Sequence, residues 1–343
     1  MRFVEPVGHE ERIAGLLRAA AGRRLAHALL LTGPEGIGKC LAAEWLAFGL
    51  LCAHGPGRPC GACGPCKRVL AGTHADVFVV DPEAEGEEEI KISRITHRER
   101  DPQPNVGEFL ALRPMEGGWR IVILRDADRM NEEAQNALLK TLEEPGTSTL
   151  LALVTGNPES LLPTTRSRCV PVALLPLGRE ATAGILREHG IGPEEASILA
   201  RWSGGAPGAA LALHARGALE MRPWIAAVLG GELDPLAAAS RVGDLEGEFP
   251  GKTPTARARA KARACLDLLL AVAFDLERAD AGVDPDSLAH GDLARLADRA
   301  AESRRVQRLE VCLQARQDVE ANLNPDVLLE RALLALEPGR KRT

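Results

Sequence analysis

Residues 28–51 read ALLLTGPEGIGKCLAAEWLAFGLL. A short run of Leu ends at Thr32, three glycines follow within six positions, and a long apolar segment starts after Lys39. A strand, a Gly-rich loop and a helix in that order form a cradle for phosphate. Gly33, Gly36 and Gly38 let backbone N–H groups approach the oxygens, the helix N-terminus adds a partial positive charge, and Lys39 reaches the terminal phosphates. The next position should carry a hydroxyl for Mg²⁺. It is Cys40, a soft ligand ill-suited to a hard cation. The other half of such a site is an acidic pair after a second strand, one carboxylate for Mg²⁺ and one to orient water. Here the strand Trp119-Arg120-Ile121-Val122-Ile123-Leu124 runs into Arg125-Asp126-Ala127-Asp128. Arg125 stands where the metal-binding Asp of a D-E-A-D type sequence would be, and Asp126 stands at the catalytic-acid position. With neither Mg²⁺ ligand in place, ATP hydrolysis is not expected. The residues leave open whether nucleotide is still held.

Outward from this loop, apolar runs at 28–32, 77–81, 121–124, 150–155 and 170–174 predict strands buried on both faces of a parallel sheet. Helical patterns lie between them. The clearest starts at Asn131, an N-cap, continues through Ala134, Ala137, Leu138 and Leu142, and stops at Pro145. Residues 1–175 therefore read as one α/β domain. The acidic run 81–89 (DPEAEGEEE) reads as a solvated loop. After Pro176 only helical patterns remain, interrupted by SGGAPGAA at 203–210 and by a Gly/Pro/Thr-rich linker at 243–255. A small helical domain at 176–215 and a larger one at 216–343 are expected.

The 343 residues are too many for one core. Aromatics are 3% with no Tyr, which disfavours a base-stacking surface. A net charge of −6 gives the whole molecule no electrostatic footprint for nucleic acid. The start lacks a secretory pattern, and the longest apolar stretch, LDLLLAVAF from Leu266, is too short to span a bilayer. A cytoplasmic location follows, and with it reduced cysteines. The cations at 256–263 (ARARAKAR) spread around a helix, either as a solvated face or as a contact for DNA or a partner. Arg340-Lys341-Arg342 reads as a frayed tail.

Cys52, Cys60, Cys63 and Cys66 follow the pattern C-x7-C-x2-C-x2-C with Gly and Pro between them. Four thiolates so spaced suit a closed, structural Zn²⁺ site, with His54 as an alternative ligand. Cys40, Cys169, Cys265 and Cys312 are scattered and read as small buried hydrophobes.

Gly8-His9, the phosphate loop, the cysteine module, Ala137–Pro145 (ALLKTLEEP) and Ser167-Arg168-Cys169 occur in an order that resembles the clamp-loader branch of AAA+ proteins. Within that branch the chain is most similar to the delta-prime family of bacterial DNA polymerase III. The resemblance is dense over residues 6–215 and implies an AAA+ domain, a helical lid and a helical C-terminal collar. It implies a subunit that does not hydrolyse ATP, working in a hetero-pentamer with gamma/tau-type ATPases and delta to place a sliding clamp on primed DNA. It also places Thr155-Gly156-Asn157 at the sensor-1 region and Gly208 where active relatives carry a sensor-2 arginine. Arg168 is then an arginine finger for a neighbour's ATP, or else a salt bridge that fixes its loop. Arg166 reads as the structural arginine of the pair. An active motor subunit and a free-standing zinc-binding nucleotide switch are the competing functions.

Overall fold

The computed structural model describes the chain except residues 97–103, 117, 252, 297–301, 320, 322 and 338–343. The tail Arg340-Lys341-Arg342 thus lies outside the described residues. The chain divides into two compact units, Met1–Leu177 and Gly178–Thr343.

In the first unit, α1 (Glu10–Ala21), β1 (Ala28–Thr32), α2 (Lys39–Leu51), α3 (Gly64–Ala71) and β2 (Val77–Val80) come first. The short helices α4 (Pro82–Glu85), α5 (Ile92–Ile95) and α6 (Val106–Ala111) lead to β3 (Arg120–Leu124) and α7 (Glu132–Glu143). β4 (Thr149–Thr155), α8 (Pro163–Arg166) and β5 (Val170–Ala173) complete it. The strands form one five-stranded sheet in the order β2-β3-β4-β1-β5. Every pairing is parallel, so helical crossovers must return the chain each time. β1 sits between β4 and β5, with Thr32 across from Thr155 on one side and Ala173 on the other. The loops that follow β1, β3 and β4 therefore converge at the carboxyl ends of the strands, where open α/β folds place their ligands.

The apolar runs at β1, β3 and β4 are buried on both faces, as expected. The edge strands differ. β2 is mostly half-buried, and Val170 of β5 is 48% exposed. An edge strand has a neighbour on one side only, so an unbroken apolar run does not ensure two covered faces. Pro171 lies in β5 and, lacking an N–H, leaves the outer edge one ladder donor short. Asn131 caps α7 by accepting from Ala134 N at 2.9 Å. The helix closes at Glu143, two residues before Pro145, and buries Leu138 and Leu142.

The acidic run is exposed over residues 83–89, as expected, but several of its groups are held. Asp81 caps α4 and pairs with Arg125, Glu85 pairs with Arg94 at 2.6 Å, and Arg129 donates to the carbonyls of Glu87 and Glu88. Asp81 and Glu85 thus meet the cations Arg125 and Arg94, which a composition-based reading cannot see.

The second unit is helical: α9 (Arg179–Glu188), α10 (Pro193–Trp202), α11 (Pro207–Ala215), α12 (Ala218–Leu229), α13 (Pro235–Arg241), α14 (Pro254–Asp280), α15 (Gly291–Ala294), α16 (Glu302–Asp318) and α17 (Pro325–Leu336). One hydrophobic cluster runs from Ala183 to Leu336, with Leu266, Leu269 and Val272 of α14 fully buried in it. The Gly-rich stretch 203–210 is only half loop. Pro207 opens α11, since its fixed φ and missing N–H suit the first helical turn. The cations at 256–263 are not a plain solvated face either. Arg257 donates to Gly251 O at 3.1 Å, and Lys261 donates to Gly243 O at 2.6 Å while lying over Phe249. Arg257 and Lys261 pin the preceding loop. Among the described residues no helix is long and apolar enough to cross a membrane.

Candidate functional site

The phosphate loop is folded as its glycines require. Gly33, Gly36 and Gly38 have φ of 146°, 73° and 97°. A Cβ at Gly33 would come within 2.4 Å of Leu174 O, so only Gly fits between β1 and the chain leaving β5. Gly38 ends the loop, and α2 starts without a side-chain cap. The first N–H groups of α2 are therefore left to whatever occupies the cradle. Lys39 folds back, donating to Gly33 O and Pro34 O at 2.9 Å each. Burial pulls its pKa down while Cys40, Glu35, Asp126 and Asp128 push it up.

The metal side of this loop is closed by protein charge. Arg125 leaves the end of β3 and its guanidinium bridges Glu44 of α2 and Asp81 at the end of β2. Glu44 is 2% exposed and also accepts from Arg2 N at 2.7 Å. A permanently charged guanidinium thus sits where a Mg²⁺-binding carboxylate was expected. Beside it, burial raises the Cys40 thiol to about 11, with Arg125 pulling the other way. A neutral thiol is a poor ligand for a hard cation.

Asp126 turns the chain with φ of 46°, and burial and Asp128 raise its pKa. Asp128 accepts from the Thr155 hydroxyl at 2.5 Å, and that hydroxyl accepts from Asn157 N at 2.9 Å. Thr155 is fully buried and held by its own neighbours. Lys39, Cys40, Arg125, Asp126, Asp128 and Thr155 are thus gathered at the carboxyl ends of the central strands.

Arg168 stands apart from that cluster, in the turn between α8 and β5. Its Nη1 donates to Thr164 O at 2.9 Å, and its Nη2 pairs with Glu143 at the end of α7 at 2.5 Å. Arg166 pairs with Glu159 at 2.6 Å. Both arginines have a carboxylate partner, and Arg168 remains one-third exposed. In the second unit Arg201 pairs with Asp292 at 3.3 Å, and Gly208 offers no side chain.

The cysteine module lies at the other end of α2, about 20 Å from the loop by helix rise over its 13 residues. Cys52 caps the C-terminus of α2 and Cys63 the N-terminus of α3. The four Sγ atoms of Cys52, Cys60, Cys63 and Cys66 all lie within 4.8 Å of one another. Tetrahedral Zn²⁺ with Zn–S of about 2.3 Å needs sulfurs about 3.8 Å apart, so the set fits a metal ion of that kind. His54 Nδ1 lies 3.6 Å from Cys52 Sγ but is outside the converging group. Untagged protein prepared under reducing conditions should carry one Zn²⁺ per chain by elemental analysis. Cys66→Ala should lower that to below about a tenth of an equivalent and loosen residues 52–66. Retention of a full equivalent by the variant would exclude these ligands. Cys169, Cys265 and Cys312 are buried as expected, whereas Cys40 is only half-buried.

Three partners escaped the sequence reading: Glu44 and Asp81, which hold Arg125, and Asp128, which holds Thr155. Glu44 left a signal, since a lone carboxylate in the apolar run LAAEWLAF must find a cation if that helix is buried on all sides.

A family model described as DNA polymerase III, delta subunit, matches residues 8–178. The chain is 35% identical over 318 residues to DNA polymerase III subunit delta-prime of Pseudomonas aeruginosa, covering 90% of this chain and 91% of that protein. It is 32% identical over 212 residues to DNA polymerase III subunit gamma/tau of Mycobacterium tuberculosis, covering 60% of this chain and 35% of that one. The solved gamma subunit-related protein of Thermotoga maritima aligns over 94% of this chain and 98% of its own, at 18% identity and a TM-score of 0.49. The match to a delta-prime subunit at 35% identity over nearly the full length of both chains shows it: the chain belongs to the DNA polymerase III delta-prime subunit family.

Proposed function

We propose that this chain is a non-hydrolysing subunit of a bacterial clamp loader, which keeps the AAA+ frame but not a working ATPase site. The observation that carries this reading is the Arg125 guanidinium fixed between Glu44 and Asp81 on the metal side of the phosphate loop. Binding Mg²⁺ there would place a divalent cation beside a permanently charged guanidinium, with the nearby carboxylates of Glu44 and Asp81 already engaged by it. Cys40 supplies no hydroxyl, and Thr155 is committed to Asp128. The nucleotide site, formed by Gly33, Gly36, Gly38, Lys39, Cys40, Asp126 and Thr155, is degenerate. The subunit's contribution to catalysis is Arg168, offered to the ATP of an adjacent gamma/tau-type subunit.

In this reading the partners are gamma/tau-type ATPases and delta in a hetero-pentamer in the cytoplasm, with the sliding clamp and primed DNA met through the complex. Residues 1–175 form the AAA+ domain, 176–215 the lid and 216–343 the collar that assembles the subunits, and Zn²⁺ is structural. Similarity to both delta-prime and gamma/tau proteins supports the choice of complex. Two measurements test the proposal. Native mass spectrometry of the tagged chain from its own cells should show it with the other loader subunits. The purified chain with Mg²⁺ and primed DNA should release no phosphate above a Lys39→Ala control. Turnover of about 1 per second that Lys39→Ala abolishes would make this an active motor subunit.

A further inference from the structure

Helix α2 begins at the phosphate loop and ends on Cys52, the first residue of the cysteine cluster. The cluster is tied to the flank of that helix along two further lines. Gly57 N donates to Gly49 O at 3.4 Å, and a Cβ at Gly49 would come within 2.7 Å of Gly57 O, so the cysteine loop lies directly on the α2 backbone. The second line is the N-terminal segment. Gly61, between Cys60 and Cys63, has φ of 68°, and a Cβ there would come within 2.7 Å of the Phe3 ring. Phe3 packs on Trp45 and Phe48 of α2, with ring centroids 5.0 and 4.9 Å apart. One residue earlier, Arg2 N donates to Glu44 Oε2 at 2.7 Å, and Glu44 Oε1 holds Arg125. Met1 N reaches Leu70 O of α3 at 3.5 Å, and Glu5 pairs with Arg58 at 2.7 Å, so both ends of this segment are fastened to the cysteine module.

We propose that residues 1–5 act as a strap that couples the metal-bound cysteine module to the Arg125–Glu44 contact, so that metal at one end of α2 fixes the phosphate loop at the other. Glu44 is the shared element: one carboxylate oxygen is positioned by the strap and the other positions Arg125. Phe3 and Glu44 are positioning residues for the degenerate site, and a four-sulfur cluster with no catalytic position gains a task in the fold. Loss of the metal releases Gly61 from Phe3, frees Arg2 N from Glu44, and lets Arg125 and the first turn of α2 move. The inference rests on the zinc reading above, and metal analysis of the same sample separates failure of that reading from failure of the coupling.

Cys40, in the first turn of α2 and half-buried, is the reporter. Cys169, buried in the same unit and far along the chain, is the control for general unfolding. The full chain, with Zn²⁺ measured, is labelled with a thiol reagent before and after chelation, and each cysteine is followed by peptide mass spectrometry. Chelation should speed labelling of Cys40 at least fivefold while Cys169 stays within twofold. Phe3→Ala should label quickly at Cys40 with Zn²⁺ still bound, and chelation should then add less than twofold. Cys40 rates unchanged by chelation, or Cys40 and Cys169 rising together, would overturn the coupling. So would a Phe3→Ala protein whose Cys40 still responds fivefold to chelation.

Discussion

Replacing Arg168 by Ala in this subunit alone should leave the loader assembled and cut both its DNA-stimulated ATPase and its clamp loading at least tenfold. A guanidinium delivered in trans is worth about 10³–10⁵ in phosphoryl-transfer rate at the site it serves. A tenfold loss for the whole complex requires the sites to fire in one coupled cycle, since silencing one of several independent sites would remove only its own share of the turnover. The structure supplies the control. Arg168 pairs with Glu143 and Thr164 O within its own chain, so a purely structural role would be lost equally by removing the carboxylate. Glu143→Gln breaks the ion pair and keeps the arginine. If the pair only fixes the turn, Glu143→Gln should match Arg168→Ala. If Arg168 serves a neighbour, Glu143→Gln should stay within twofold of wild type. Such a pair, one-third to one-half exposed, is worth at most about 1 kcal/mol, so giving it up to reach a phosphate costs little. Arg168→Lys should recover only a small part of the rate, because a point charge does not reproduce the forked donors.

The largest stability effect should come from a residue with no part in the nucleotide site. Arg120 opens β3 and pairs at 3.2 Å with Asp76, the two side chains being 3% and 0% exposed. Asp76 also accepts from Met115 N at 2.8 Å and Glu116 N at 2.6 Å, and the guanidinium donates to Arg113 O and lies 4.1 Å from the Phe109 ring centroid. Arg120→Met keeps the length and removes the charge, leaving a buried carboxylate with two amide donors and no cation. Breaking a buried pair in this way costs about 3–5 kcal/mol, which for a unit of this size lowers Tm by roughly 10 °C. Thermal and urea denaturation of the full chain measures it. A double-mutant cycle with Asp76→Leu should return a coupling of about 1.5–3 kcal/mol. Additivity to within about 0.5 kcal/mol would show that the pair contributes nothing beyond its separate burial. The expected loss reaches the cysteine module too, because Glu116 pairs with Arg68 of α3.

The sequence by itself determined the parts whose chemistry is local. The spacing of Gly33, Gly36, Gly38 and Lys39 after a run of Leu admits one backbone path, since positive φ at three points within six residues is open only to Gly. Four cysteines within 15 positions, with turn residues between them, can bring their sulfurs together with little chain between, and the cluster converges as expected. The change at Cys40 and Arg125 could be read because each alters one functional group at a position fixed by its neighbours along the chain. Tertiary structure alone decided what those groups meet. Arg125 was legible as a missing carboxylate but not as a guanidinium held by Glu44 and Asp81, which lie 81 and 44 positions away. The acidic run 81–89 is as exposed as its composition suggests, but only the fold shows that Asp81 and Glu85 meet Arg125 and Arg94, and the edge strand β5 looked buried because an apolar pattern does not say what covers a strand. The strap from Phe3 to Gly61 and Glu44 left no mark in the sequence at all. Its physical basis is ring packing and one hydrogen bond from a backbone N–H to a carboxylate 42 positions away, and contacts of that kind exist only once the fold has brought distant segments together.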